Sequence, residues 1–326
     1  MKVRVWSGLY LFVLAGWSGV AAETPDPPEL LERGEYMVYA AGCISCHAGE
    51  EGESEHLEGG RVFETPFGTF HAPNITPHRE HGIGNWTEAQ FRRALRQGVA
   101  PDGRRYFPVF PYTAYTRMRD DDIRAMWAYL SSRPAVARPS RAHGGAWYLQ
   151  LPLAMRLWRL LHFSPGPWQD EPDRPAQWNR GAYLAEALGH CGECHTPRGL
   201  MGNLRADRKY VGTAQGPDGE SVPNITPHPE DGIGKWDQDD LAYFLESGMT
   251  PEGDFTGGIM SEVIDNGQRH LTAADREAIA TYVLSLPPLA DAESLGALDE
   301  SRVGRVMLPR AYAESQPSGP SYPADR

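Results

Sequence analysis

The sequence predicts an all-α protein made of two tandem copies of one module. Three observations carry this. Short segments recur in order: Cys43-Ile44-Ser45-Cys46-His47 returns as Cys191-Gly192-Glu193-Cys194-His195 after 148 positions. Pro73 to His78 (PNITPH) returns as Pro223 to His228, and Gly82-Ile83-Gly84-Asn85-Trp86 as Gly232-Ile233-Gly234-Lys235-Trp236, both after 150. Gly34-Glu35-Tyr36 likewise matches Gly181-Ala182-Tyr183. The segments between these motifs carry apolar residues at helical spacing. The connections are rich in Gly and Pro and contain few strand-like runs.

Residues 1–22 read as a secretory leader: Lys2 and Arg4, an apolar stretch from Val5 to Val20, then Ala21-Ala22. An uncleaved anchor helix is the competing reading. Helices are expected over Glu29 to Ala41 and Trp178 to Leu188, each running into a cysteine pair. Thr87 to Gln97 opens with a Thr87/Gln90 capping box and stops before Gly98, and its counterpart runs from Asp237 to Ser247. Last helices are expected over Asp120 to Ser131 and Thr272 to Leu286, the latter capped by Thr272. The modules span 28–133 and 177–288. The 134–176 linker holds a basic amphipathic segment, Leu151 to Phe163, in which Leu153, Leu157, Leu160 and Leu161 stand against Arg156 and Arg159. It reads as a linker helix packed between modules or as a helix for a membrane surface or partner. Residues 289–326 read as a disordered tail.

The chain of 326 residues carries 43 acidic against 31 basic side chains, net −12, and loss of the leader's two cations makes it −14. That balance speaks against nucleic acid. A mean hydropathy of −0.49 excludes a multi-span membrane protein.

All four cysteines fall in two Cys-x-x-Cys-His motifs. Two thiols three positions apart on one helical turn can add to the two vinyl groups of a haem, and the following His then lies under the iron. A redox disulfide or half a zinc site would not need His after each pair, twice. The motifs thus imply two covalent haem c groups, on Cys43/Cys46 and Cys191/Cys194, with His47 and His195 as proximal iron ligands. Met260 is the favoured distal ligand of the second haem over Met249 and Met201. In the first module Met118 is reached by elimination, with Met126 read as core and His71, His78 and His81 still open. Trp86 and Trp236 either anchor haem propionates or fill the core. His78 and His228 read as loop residues.

The chain resembles the di-haem class I c-type cytochromes, among them the cytochrome subunits of periplasmic alcohol, aldehyde and gluconate dehydrogenases. The resemblance rests on both haem motifs, on Phe107-Pro108-Val109-Phe110-Pro111-Tyr112 with Tyr115-Thr116-Arg117-Met118, and on Trp178 to Tyr183 leading into Gly189-His190-Cys191 and Cys194-His195-Thr196-Pro197-Arg198. It implies two tandem cytochrome c domains, His/Met iron, and electron transfer in the periplasm. Many such subunits have three haem sites, where this chain has two, and some have Met where this chain has Phe110. The expected partners are a periplasmic dehydrogenase catalytic subunit and a downstream cytochrome, oxidase or quinone-linked acceptor. The expectation is an electron carrier rather than an enzyme. The alternative is a di-haem peroxidase or thiosulfate-type oxidoreductase with one catalytic haem.

Overall fold

In the computed structural model the described residues are 27–49, 56–145 and 152–291. The leader read at 1–22 and residues 292–326 of the expected tail lie outside them.

Helix α1 (Pro27–Ala40) buries Gly34, Met37, Val38 and Ala40. Gly42, with φ of 64°, turns the chain into α2 (Cys43–His47). Strands β1 (Val62–Thr65) and β2 (Gly68–His71) then form an antiparallel hairpin with Val62 opposite His71. Helix α3 (Glu88–Gln97) starts as its sequence predicts: the Thr87 hydroxyl accepts from the Gln90 N–H, and the Gln90 side chain accepts from the Thr87 N–H. It ends at Gly98, φ 56°. Thr87→Ala is expected to cost about 1 kcal/mol, read as a lower midpoint in denaturant with an unchanged slope.

After α4 (Tyr112–Tyr115) and α5 (Asp120–Ser132), β3 (Gly144–Gly145) adds to the edge of β2. The fold is largely helical, and this small three-stranded sheet is its one departure, among the described residues, from the all-α expectation. Val62, Phe63, Thr65, Thr69 and Phe70 favour a pleated surface, and buried Phe70 stacks on Phe107 at 4.8 Å.

Helix α6 (Pro152–His162) lies in the linker and packs Met155 and Trp158 on Tyr112. Helix α7 (Ala176–Tyr183) passes into one π turn, Leu184–Leu188, before α8 (Gly192–His195). Nine positions separate Gly34 from Cys43, but ten separate Gly181 from Cys191. The π turn lies within the stretch that holds the extra residue and would absorb it without breaking the helix. Helix α9 (Gln238–Ser247) is capped by Asp237, and α10 (Gly258–Asp265) follows. Helix α11 (Ala273–Val283) is capped by Thr272 and is shorter than expected. Of the expected tail, Leu289 to Asp291 are placed: the Leu289 carbonyl accepts from Asn224, and the Asp291 N–H donates to Asp231.

Helix α1 packs on α5, and α7 on α11. The same polar unit stands at the start of α5 and of α11. Arg33 and the Tyr183 hydroxyl donate to buried Asp122, and Tyr183 also accepts the Arg119 N–H. Arg180 and the Tyr36 hydroxyl donate to Asp275, and Tyr36 accepts the Thr272 N–H. Each tyrosine thus crosses from one copy to cap a helix of the other. Burial opposes ionisation of Asp275, but hydrogen bonds from Arg180 and Tyr36 hold its carboxyl below the usual range. A depressed carboxylate adds stability above its unfolded value, about 4, and loses it as pH falls through the lower folded value. Melting temperature should therefore fall between pH 5 and pH 2 (roughly, from the same reference), and Asp275→Asn should flatten that part of the profile while lowering the plateau.

Candidate haem attachment sites

The two Cys-x-x-Cys-His turns are held by the same set of contacts. His47 Nδ1 donates to the Pro73 carbonyl at 2.7 Å, and His195 Nδ1 to the Pro223 carbonyl at 2.8 Å. A carbonyl cannot donate, so Nδ1 carries the proton and Nε2 keeps its lone pair for a metal. Burial pushes the His47 imidazole down to about 4 and lowers that of His195, so both rings are neutral. None of the four cysteines is joined to another in a disulfide. Burial pushes Cys43 and Cys191 up to about 12 and Cys194 to about 11.

The repeated Pro-Asn-Ile-Thr segment serves these histidines. Asn74 accepts from the N–H and hydroxyl of Thr76, at 2.9 and 2.7 Å, and Asn224 does the same for Thr226, both at 2.8 Å. The asparagine amides then donate to the chain beyond each last helix, at Val136 and Arg138 and at Leu289. Ile75 and Ile225 donate to the carbonyls of Leu57 and Tyr210. Leu57 and Tyr210 have left-handed backbones, φ 60° and 66°. The only other non-glycine residue of this kind among those described is His190, φ 38°, beside Cys191. The strained backbone therefore clusters around the cysteine turns.

Sequence reasoning missed these supports. The repeat was visible, but not that its first carbonyl orients a histidine. His78 and His228 lie in turns, each accepting through Nδ1 from an N–H three residues on. Met118 is fully buried, just before α5. Met126 is equally buried inside α5. Met260 lies in the first turn of α10 and packs against the core. Met201 is exposed beside α6. Trp86 and Trp236 pack against the core, and neither indole N–H is bonded to another described protein group, unlike those of Trp158, Trp168 and Trp178.

The two turns sit side by side. The Thr113 hydroxyl of α4 donates to Glu193 inside the second motif at 2.8 Å. In the first motif the Ser45 hydroxyl donates to the Glu262 carbonyl of α10, and Arg61 bonds both Ser45 and Glu262. The Tyr115 hydroxyl donates to the Ala41 carbonyl at 2.6 Å, and its ring meets that of His190 edge-on at 5.4 Å. Each motif thus packs against the opposite copy.

The cytochrome c family profile matches residues 31–134. A diheme cytochrome c-type protein of Cereibacter sphaeroides is 38% identical over 302 residues, covering 89% of this chain and all of that protein. The chain belongs to the diheme cytochromes c. This cytochrome is also similar to the fructose dehydrogenase cytochrome subunit of Gluconobacter japonicus, 35% identical over 86% of this chain and 58% of that subunit. The cytochrome c subunit of the quinone alcohol dehydrogenase of Gluconobacter oxydans is 36% identical over 85% of this chain and 59% of that subunit. The chain spans somewhat under three fifths of those two dehydrogenase subunits. The residues fit the group the family carries: cysteines in pairs with no disulfide between them, a neutral histidine with a bare Nε2 beside each pair, and two indole N–H groups bonded to no other described protein group. The cytochrome carries covalent haem c, with Cys43/Cys46 and Cys191/Cys194 as its two attachment pairs.

Proposed function

We propose that this cytochrome is exported to the periplasm, takes electrons from the catalytic subunit of a dehydrogenase, and passes them to a downstream cytochrome, oxidase or quinone-linked acceptor. In this reading the tandem domains 28–133 and 177–288 hold one haem each. The observation that carries it is the side-by-side placement of two attachment turns with equivalent histidine supports. Haem c, when bound, supplies a one-electron iron couple. His47 and His195 are proximal ligands held in one tautomer by Pro73 and Pro223. Met118 and Met260 are the distal ligands, and Trp86 and Trp236 offer their free N–H groups to propionates. Met118 is favoured because it is fully buried, whereas His78 Nδ1 accepts the His81 N–H, which places that ring's own proton on Nε2. With Met118 and Met260 as ligands, each iron would have no open position for substrate and its ferrous state would be favoured. Similarity to dehydrogenase cytochrome subunits supports the choice of electron donor.

Met118→His and Met260→His should each change the resonance Raman spectrum of one haem. Each should lower that haem's potential by a sizeable part of the roughly 0.8 V that axial ligation spans. A spectrum unchanged by either substitution rules that methionine out. The function is tested by rapid mixing: the oxidised protein should be reduced by a dehydrogenase catalytic subunit plus substrate, and not by substrate alone. Reduction by substrate alone contradicts the proposal.

A further inference from the structure

Helix α6 packs on the protein through Met155 and Trp158, and the Trp158 indole donates to the Met201 carbonyl of the neighbouring loop at 2.8 Å. Its other side is uncovered among the described residues. Leu153, Leu157, Leu160 and Leu161 follow at i, i+4, i+7 and i+8, one stripe of the helix. Leu153 is 75% and Leu160 81% exposed. Leu200, next to Met201, is fully exposed. A soluble surface rarely gathers so many uncovered aliphatic side chains. The leucine stripe is therefore not what attaches the linker helix to the modules.

Charge distinguishes this region from the rest of the chain. Between residues 123 and 169 there are six arginines, Arg124, Arg133, Arg138, Arg141, Arg156 and Arg159, and no Asp or Glu. The remainder of an acidic chain therefore carries all the negative charge. Exposed Arg156 borders the leucine stripe. Arg159 is held inward, donating to the Gln97 carbonyl and lying over the rings of Tyr112 and Phe163.

We propose that this face docks on an anionic phospholipid surface, with the leucines entering the boundary between headgroups and acyl chains and Arg156 at the level of the phosphates. A short helix with an aliphatic face, a basic border and no acidic residue has the composition of an interfacial helix. The makeup of the face favours lipid over protein. Protein interfaces take their binding energy from Trp, Tyr and Arg anchors set in pockets, and leucine is under-represented among them. Here the one tryptophan of the helix is turned inward, and the outward residues are leucines standing clear of the surface. Docking would fix which way the haem edges face relative to the bilayer. It does not rest on the function proposed above, because vesicle binding is read without electron transfer.

Haem-loaded protein, produced behind a leader removed on export, is sedimented with phosphatidylcholine vesicles with and without phosphatidylglycerol. Binding should be at least tenfold stronger to the anionic vesicles. The pair of substitutions Leu157→Gln and Leu160→Gln should weaken it at least tenfold, with haem content and optical spectrum unchanged because both side chains are already exposed. Arg156→Glu should reduce the preference for anionic lipid severalfold. No sedimentation with vesicles, or equal binding by the double variant, overturns the proposal. So does loss of binding to a dehydrogenase catalytic subunit in the double variant without any vesicle binding by the unmutated protein, which would assign the face to a protein partner.

Discussion

Replacing Cys191 and Cys194 together with alanine should give a chain with one haem where the unmodified protein has two. The haem-to-protein ratio, measured by absorbance of the denatured pyridine complex, should fall by half. Cys43→Ala with Cys46→Ala should do the same for the other site. The physical basis is that each turn is supported separately, one by Pro73, Asn74 and Leu57 and the other by Pro223, Asn224 and Tyr210. Removal of one pair leaves the histidine support of the other untouched. Both turns nevertheless touch the opposite copy, through Thr113–Glu193 and Ser45–Glu262. The single-haem variants should therefore melt at lower temperature than the full protein. A ratio unchanged in either variant would mean that the pair removed holds no haem.

Gly181→Ala should be the most destabilising glycine-to-alanine change among the described residues. A Cβ at Gly181 would lie 1.8 Å from the Ala278 carbonyl oxygen, where α7 crosses α11. At Gly34 it would lie 2.1 Å from the Ala125 carbonyl oxygen, where α1 crosses α5. Glycine to alanine inside an unhindered helix adds about 1 kcal/mol of stability. Here the sign reverses, because the obstacle is backbone and the helices must move apart. The expected loss is roughly 2–3 kcal/mol or more at each site, a fall in melting temperature of about 5 °C or more. Moving α7 also shifts the π turn that leads into Cys191, so haem incorporation at the second site should drop with Gly181→Ala. A melting temperature equal to or above that of the unmodified protein would contradict the close crossing.

Both predictions draw on features visible in the sequence: the two haem motifs and the glycine repeated at 34 and 181. The capping residues Thr87 and Thr272 were equally legible, because a cap is a local event between a side chain and an N–H a few residues on. What the sequence hid was non-local. The carbonyls of Pro73 and Pro223 carry no side-chain signature, and their roles depend on loops that bring them back to histidines 26 and 28 residues earlier. The hairpin at 62–71 was overlooked because its strands are four residues each and one Gly-Gly pair completes the sheet. The crossing tyrosines, Tyr36 and Tyr183, were seen as a repeat, but their partners belong to the opposite copy. The Gly257-Gly258 pair masks the start of α10, the helix whose first turn holds Met260.

The central claim is that both irons are closed to substrate and serve only to move electrons. Resonance Raman spectroscopy of the ferric protein tests this most directly. The expected result is two low-spin, six-coordinate haems per chain, each retaining that coordination on reduction. One high-spin, five-coordinate haem per chain, accompanied by turnover of peroxide by the isolated protein, would contradict it and make that haem a catalytic centre.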